Sequence, residues 1–446
     1  MREPLMAKIS VFGLGKLGCP LAAVLASKGH DVIGVDLHEP FVAAVNQQRS
    51  PLYEPGLDEL LRQTAGRLRA TTDGHEAALQ TDASFIIVPT PSDEQGAFSI
   101  RFVLPVLEVI GSALRKKAGY HLVVITSTVM PGATGGEIQA TLQRASGRTL
   151  GPTLGLCYNP EFVALGSVIR DTLQAELLLI GQSDDEAGRR LETIFDTVHA
   201  GGPHPAVRRM NFVNAELTKI AVNTFVTTKI SYANMLARIC EKLPGASVDA
   251  VTHALAADSR IGGKYLKGAV NYGGPCFPRD NVAFVTMARR IGADATLAEA
   301  THRVNQLQVE QLADLTCRHL PPGGRAAVLG LAYKPKTDVC EVSTGVLLAA
   351  ELARRGVRVC TYDPAAIPAA RKTLPATVQF TESMDACVRQ GDVVVVTVAW
   401  DEFGQLTREH FTARAQPAIV IDCWRTLDPA AFAPQAKVIA LGCGEG

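Results

Sequence analysis

The stretch Gly273-Gly274-Pro275-Cys276-Phe277-Pro278-Arg279-Asp280 sets a thiol behind two glycines, between two prolines and four residues before a carboxylate. Glycine lets backbone approach a ligand closely, and proline stiffens the turn that presents the sulfur. A packed core has no use for that arrangement; a displayed nucleophile does, so the chemistry it points to is covalent. The other nine cysteines (Cys19, Cys157, Cys240, Cys317, Cys340, Cys360, Cys387, Cys423 and Cys443) are scattered, with no Cys-x-x-Cys pair. That argues against a zinc site and for small buried hydrophobes in a reducing, cytoplasmic compartment.

A second group of residues handles a dinucleotide. The loop Gly13-Leu14-Gly15-Lys16-Leu17-Gly18 follows the apolar run 9–12, opens a helical pattern that stops at Gly29, and is followed by a strand pattern ending at Asp36. Its glycines allow the tight turn, the approach of a pyrophosphate and close helix–sheet packing, and the helix N-terminus offers amides to phosphate. Asp36 is placed to bond ribose hydroxyls and to repel a 2′-phosphate, which favours NAD over NADP. Thr90 and Pro91, and Thr128 in Thr126-Ser127-Thr128-Val129, end later strands on the same sheet edge.

Two further candidates stay open on residues alone. Lys219 and Asn223 share one otherwise apolar helix face, where a ligand or partner would have to satisfy them, or where the lysine snorkels beside a capping amide. Glu161, in the loop 158–161 after a strand, reads either as a base or water-positioner or as a solvated loop carboxylate.

The elements that must position these residues follow from pattern. The 446 residues suffice for two or three cores, 47% are hydrophobic, and the formal charge is zero, which gives no basic footprint for a nucleic acid. No apolar run reaches membrane-spanning length, and the N-terminus, with Glu3 and Pro4, does not read as a signal peptide. Strand and helix patterns alternate to about residue 200, as a parallel α/β sheet requires. Residues 202–210 read as a connector. A helical stretch without Gly or Pro runs from about 211 to 242, with Leu217, Ile220, Ala221 and Phe225 at helical spacing, and is expected to carry an interface. Helical patterns continue to about His319. After Pro321-Pro322-Gly323-Gly324 a second strand–turn–helix series begins, with a strand pattern ending at Asp363. The expected architecture is α/β: two Rossmann-like parallel-sheet domains, 1–203 and 321–446, joined by a long central helix and a helical domain, 204–320.

Together these motifs resemble the UDP-glucose/GDP-mannose dehydrogenase family. The resemblance runs through the glycine loop, SPLYEPGL (50–57), VPTP (88–91), STV (127–129), NPEF (159–162), AELTKIAVNTFVTTKIS, DSRIGGKYLKG (258–268), GGPCFPRD and LGLAYKPKTD (329–338). NTFVTTKIS and DSRIGGKYLK are more similar to the UDP-glucose branch. The resemblance implies oxidation of a sugar C6 alcohol to a carboxylate in two hydride transfers to two NAD molecules, with Cys276 holding a thiohemiacetal and then a thioester. It implies that Lys219 stabilises the developing oxyanion, with Asn223 assisting. Asp280, Glu161 and Thr128 would handle protons and the hydrolytic water. Arg260 would reach substrate in a neighbouring subunit of a homodimer or higher oligomer. Lys267, Lys334, Phe162 and the loop Asn271-Tyr272-Gly273 would surround the nucleotide sugar, with the C-terminal domain holding its nucleotide end. No metal is implied.

The chain departs from the family pattern at five positions. Leu165 replaces an acid, Glu341 and Val342 replace an arginine and a glutamate, Pro275 stands where the UDP-glucose branch has serine, and Asn271 where glycine is usual. A charge reversal at a phosphate-binding arginine is not neutral, and the exchanges at Leu165 and Glu341 read as a coupled variant. The substrate that the resemblance implies first is UDP-glucose, which would give UDP-glucuronate. The alternatives are a UDP-N-acetylhexosamine or GDP-mannose, a 3-hydroxy-acid or 6-phosphogluconate type dehydrogenase, and a non-catalytic nucleotide-sugar binder.

Overall fold

The computed structural model describes residues 6–412 and 416–444. Glu3 and Pro4 lie outside the described residues. The chain resolves into two compact units, Met1–Ala221 and Val222–Gly446.

In the first unit, eight strands form one sheet in the order β3-β2-β1-β4-β5-β6-β7-β8. They are β1 Lys8–Phe12, β2 Asp31–Val35, β3 Leu68–Thr71, β4 Ala83–Ile86, β5 His121–Ile125, β6 Leu154–Tyr158, β7 Leu177–Gln182 and β8 Ala206–Met210. The pairs from β3 through β6 are parallel, in registers such as Lys8↔Asp31 and Ile9↔Ala83. Strands such as His-Leu-Val-Val-Ile and Leu-Gly-Leu-Cys-Tyr are buried along their whole length, because helices cover both faces. Two apolar clusters result, one built on Ile9, Val11 and Leu25, the other on Phe12, Ile86 and Leu107. Strand order reverses between β1 and β4, so the crevice at their carboxyl ends is where this topology takes a ligand.

Two features of this sheet differ from the sequence reading. β6 and β7 pair antiparallel, so the sheet is mixed. The expected connector 202–210 ends in β8, which pairs parallel with β7 from Leu177↔Ala206 to Gly181↔Met210. Ala-Val-Arg-Arg-Met has no alternating apolar pattern because it is an edge strand held by its backbone ladder. The Arg209 guanidinium donates to Gln182 Oε1 at 2.7 Å and pairs with Asp185 at 3.0 Å.

The helix Phe212–Cys240 gives its first ten residues to this unit and the rest to the second. In the second unit it is followed by helices Val248–Ala257, Phe277–Arg290 and Thr296–His319. Then comes a six-stranded sheet, all parallel, in the order β11-β10-β9-β12-β13-β14. Its strands are β9 Arg325–Leu329, β10 Arg358–Tyr362, β11 Gln379–Phe380, β12 Val393–Val396, β13 Ala418–Asp422 and β14 Ala436–Ala440. Two clusters, around Val328 and Leu348 and around Leu329 and Phe403, cover its faces. The architecture is therefore α/β with two Rossmann-like sheets. Of the cysteines read as buried, Cys317 and Cys443 are only half-buried, while Cys276 is exposed. No described helix is long and apolar enough to cross a membrane.

Candidate active site

Gly13 turns the chain out of β1 at φ +101°, a value that side chains disfavour. Helix Gly18–Ser27 then packs so tightly that a Cβ on Gly18 would lie 1.8 Å from the Gly13 carbonyl oxygen. A Cβ on Gly15, by contrast, would meet nothing within 4 Å. That open space beside a helix N-terminus fits a pyrophosphate. Asp36, just past β2, accepts from the Leu14 N–H at 2.7 Å and the His38 N–H at 2.8 Å, and remains half-buried at the crevice edge. Thr90 donates its hydroxyl to the Thr128 carbonyl at 2.6 Å, which ties together the loops after β4 and β5; Pro91 follows in the first of them. These residues fit NAD.

The same unit assembles Glu161, Phe162 and Lys219. The Lys219 ammonium donates to the Glu161 carbonyl oxygen at 2.5 Å and lies 4.4 Å from the centre of the Phe162 ring, over its face. Both contacts hold a nearly buried cation, which an apolar surrounding alone would not tolerate. The Glu161 carboxyl is pushed up to about 7 by desolvation, against the opposing pull of the Lys219 charge. A carboxyl that titrates there serves as either acid or base at neutral pH. Leu165, in the following loop, is half-buried.

Two buried carboxylates to which the sequence reading gave no role hold these loops. Glu54 accepts from the Gly166 and Val168 N–H groups at 2.8 and 2.7 Å, fixing the turn after Phe162. Glu216, one helical turn before Lys219, accepts from the Gly132 and Thr134 N–H groups at 2.6 and 2.7 Å, fixing the loop that follows Thr128. Burial pushes the Glu216 carboxyl up, and those bonds hold it down. Both lay inside quoted motifs, SPLYEPGL and AELTKIAVN, but a loop-holding role depends on contacts between distant segments.

In the second unit, Cys276 is the exposed residue at the N-terminus of helix Phe277–Arg290. The positive end of that helix stabilises negative charge developing on sulfur. One turn on, Asp280 is buried, and its Oδ2 accepts from the Asn223 side-chain amide at 2.6 Å; Arg279 pairs with its other oxygen at 3.7 Å. Asn223 therefore meets Asp280 on the thiol's own helix.

The loop leading to Cys276 has no regular structure, and side-chain amides hold it instead. Asn234 accepts from the Ala269 N–H and donates to the Val270 carbonyl, both at 2.8 Å. Asn305 does the same to Tyr272, at 2.7 and 3.0 Å. Gly273 lies so close to Val342 that a Cβ there would be 2.4 Å from the Val342 carbonyl oxygen, and Gly274 is covered by the Tyr333 ring. The Gly274 N–H donates to the Glu341 carbonyl at 2.8 Å.

The remaining candidates are spread out. Lys334 is half-buried beside the Tyr333 ring. Lys267 is exposed. Arg260 is exposed and folded back on Asp258 at 2.6 Å. Among the described residues no cluster of His, Cys, Asp and Glu could hold a metal ion.

The second sheet repeats the dinucleotide turn in form. Gly330 has φ +103°, and a Cβ on Gly345 would lie 1.8 Å from the Gly330 carbonyl oxygen. Here, however, the strand-end aspartate is spent. Asp363 accepts from the Leu331, Ala332, Ala365 and Ala366 N–H groups at 2.7–2.9 Å and from the Trp400 indole at 3.2 Å, and it is buried. No ribose can reach it, so the dinucleotide crevice is the first one.

Residues 7–199, 213–307 and 327–429 match, in order, the NAD binding, central and UDP binding domains of the UDP-glucose/GDP-mannose dehydrogenase family. The UDP-glucose 6-dehydrogenase of Haloferax volcanii is 37% identical over 93% of this chain and 96% of its own. The GDP-mannose 6-dehydrogenase of Azotobacter vinelandii is 32% identical over 90% and 94%. The structure of a UDP-glucose dehydrogenase from Pyrobaculum islandicum superimposes with a TM-score of 0.88 at 32% identity, covering all of this chain and 98% of that one. With an exposed thiol on a clamped loop, a dinucleotide turn in the first sheet and relatives matched over nine tenths or more of its length, the chain belongs to the UDP-glucose/GDP-mannose dehydrogenase family, and its cofactor is NAD.

Proposed function

We propose that the protein oxidises C6 of UDP-glucose to the carboxylate of UDP-glucuronate through a thioester on Cys276. The observation that carries this reading is an exposed thiol on a clamped loop at a helix N-terminus, with the bonded pair Asn223 and Asp280 one turn away. NAD, when bound, accepts a hydride in each of the two oxidations.

The protein's own groups do the rest. Gly13, Leu14, Gly15, Leu17 and Asp36 hold the cofactor, with Thr90, Pro91 and Thr128 along its crevice. Lys219 stabilises negative charge on the C6 oxygen, and Asn223 assists. The Cys276 sulfur adds to the C6 aldehyde, forming a carbon–sulfur bond and placing the charge on oxygen. Loss of the second hydride leaves the thioester. Glu161, ionised near neutral pH, takes a proton from water as its oxygen attacks the C6 carbonyl, and the carbon–sulfur bond breaks to give the carboxylate and the free thiol. Asp280 receives and returns protons at this centre.

In this reading residues 1–203 bind NAD, 204–320 carry the nucleophile, and 321–446 hold the nucleotide end through Lys334. Phe162, Lys267, Tyr272 and Gly273 surround the sugar. The enzyme works in the cytoplasm, a reading that the scattered spacing of its ten cysteines supports. It works as a homodimer or higher oligomer to which Arg260 reaches across. Support for an oligomer comes from the exposed Phe225, Tyr232, Met235 and Ile239, which fall on one face of the long helix.

The test is NADH formation with UDP-glucose, a UDP-N-acetylhexosamine and GDP-mannose, with the sugar products read by mass spectrometry. UDP-glucose should give two NADH per uronate and the highest kcat/KM. Cys276→Ser should keep the fold and form no uronate. Full conversion by that variant, or preference for another sugar nucleotide, refutes the proposal.

A further inference from the structure

Val342 is a β-branched residue held at φ +51°, in the left-handed region that such side chains avoid. Its side chain is 41% exposed, so no core packing rewards the conformation. Strain of this kind persists only where surrounding contacts enforce it, and it clusters at functional sites. The contacts here all lead to the nucleophile loop. The Val342 carbonyl oxygen lies against Gly273, which has room for it only because it lacks a Cβ. The same oxygen accepts from the Asn271 side-chain amide at 3.2 Å. The Asn271 side-chain oxygen in turn accepts from the Thr344 hydroxyl at 2.8 Å. The preceding carbonyl, of Glu341, takes the Gly274 N–H at 2.8 Å.

Asn271 is 6% exposed, and both ends of its amide are engaged in these bonds. We propose that Asn271, Val342 and Thr344 form a strained latch that fixes the loop carrying Cys276, and that Asn271 is a positioning residue and makes no contact with the sugar. Asn234 and Asn305 hold the earlier part of that loop, up to Tyr272. The latch holds its last turn, where two glycines would otherwise leave the backbone free. Asn271 and Val342 are two of the positions at which the chain departs from its family's pattern. They meet in one hydrogen bond, so the departures act as a matched set.

The inference rests on Cys276 being the nucleophile, and its test separates the two ideas. Alkylation of Cys276 by iodoacetamide, followed by peptide mass spectrometry in the absence of substrate, reports the position of the thiol whether or not the protein turns over. Asn271→Ala and Thr344→Val should each change that alkylation rate by at least about threefold. They should lower kcat at least about tenfold while leaving the sugar-nucleotide KM within about twofold, because a displacement of about 1 Å costs up to about a hundredfold in rate. Thr344→Ser keeps the hydroxyl and should restore both readouts; it also shows that the site tolerates substitution without unfolding. If Asn271→Ala raises KM about tenfold with kcat and alkylation unchanged, the amide binds sugar and the latch is wrong. Unchanged kinetics and alkylation in both variants overturn it as well. If the wild type forms no NADH with any nucleotide sugar, the function proposed above fails, and the alkylation arm still decides the latch.

Discussion

Glu161→Gln separates two consequences of one half-buried, desolvated carboxyl. Desolvation raises Glu161 from an ordinary 4.5 to about 7. The ionised fraction is then about one tenth at pH 6, one half at pH 7 and nine tenths at pH 8. If the carboxylate activates the hydrolytic water, uronate release should rise roughly tenfold from pH 6 to 8 with a midpoint near 7. Glu161→Gln should lower that step by about 10²–10⁴-fold, remove the pH limb and let a covalent adduct accumulate on Cys276. Stability should move the other way. Below about pH 4.5 the group is neutral in the folded and unfolded chain, and nothing is lost. Between about 4.5 and 7 the unfolded chain ionises first, and stability falls; above 7 the full cost stands, up to about 3 kcal/mol less the share that solvent screens. Glutamine carries no such cost, so the variant should melt several degrees above wild type at pH 8 and close to it at pH 5. Quenched-flow product analysis, intact-protein mass spectrometry and calorimetry at the two pH values read all of this. A wild-type limb near 4.5, or a variant that keeps the limb and gains no stability at pH 8, would refute the reasoning.

Three further outcomes are expected. Arg425 binds both oxygens of the half-exposed Asp249 at 2.7 and 2.9 Å and the Gly268 and Leu441 carbonyls at 2.7 and 2.8 Å, so Arg425→Ala should cost about 1–3 kcal/mol in denaturant unfolding, chiefly through the two carbonyls left unbonded, and a loss below about 0.5 would show these bonds to be idle. His121 is buried against the Ser84 hydroxyl, and desolvation, then the Lys117 charge, lowers it from 6.5 to about 3. The unfolded chain therefore takes up that proton first, and stability should fall by about 1.4 kcal/mol per pH unit below about 6.5; His121→Gln should flatten that acid limb, and an unchanged slope would exclude His121 as its source. Phe225 is 66% exposed on the long helix, and Phe225→Glu should turn an oligomer into monomer in sedimentation, whereas an unchanged mass would place the interface elsewhere.

What the sequence disclosed was local. The turn after β1 was legible because glycine spacing, a helix start and a strand-end aspartate fall within 24 residues of one another, from Gly13 to Asp36. Cys276 was legible because its neighbours Gly274 and Pro275 have few structural uses in that order. The strand β8 was not, because an edge strand rich in arginine carries no apolar alternation, and its partner β7 lies some thirty residues earlier. The antiparallel pairing of β6 and β7 was hidden for the same reason: polarity within a sheet is a property of the pair. The loop-holding roles of Glu54, Glu216, Asn234 and Asn305 depend on contacts between segments 33 to 114 residues apart, as between Asn305 and Tyr272 or Glu54 and Val168. Composition and period do not encode such contacts.

The two aspartates show how far a shared pattern can mislead. Asp36 and Asp363 each end the second strand of a glycine-turn unit, and each unit closes a helix against its turn glycine with the same 1.8 Å demand. In the first, the helix glycine Gly18 comes five residues after Gly13; in the second, Gly345 comes fifteen after Gly330. The longer second loop carries Tyr333, Lys334, Glu341 and Val342. Its first amides, with those past β10, use up Asp363, so that carboxylate is not available to a ribose. Its far end supplies the carbonyls that receive the Cys276 loop at Gly274 and Asn271. One long loop therefore occupies the strand-end aspartate and forms a wall for the segment that leads to the cysteine. That is a physical reason for two sheets built on the same glycine turn to differ: the first leaves its strand-end aspartate half-buried at a crevice edge, and the second buries its aspartate and sets its loop against the segment leading to Cys276.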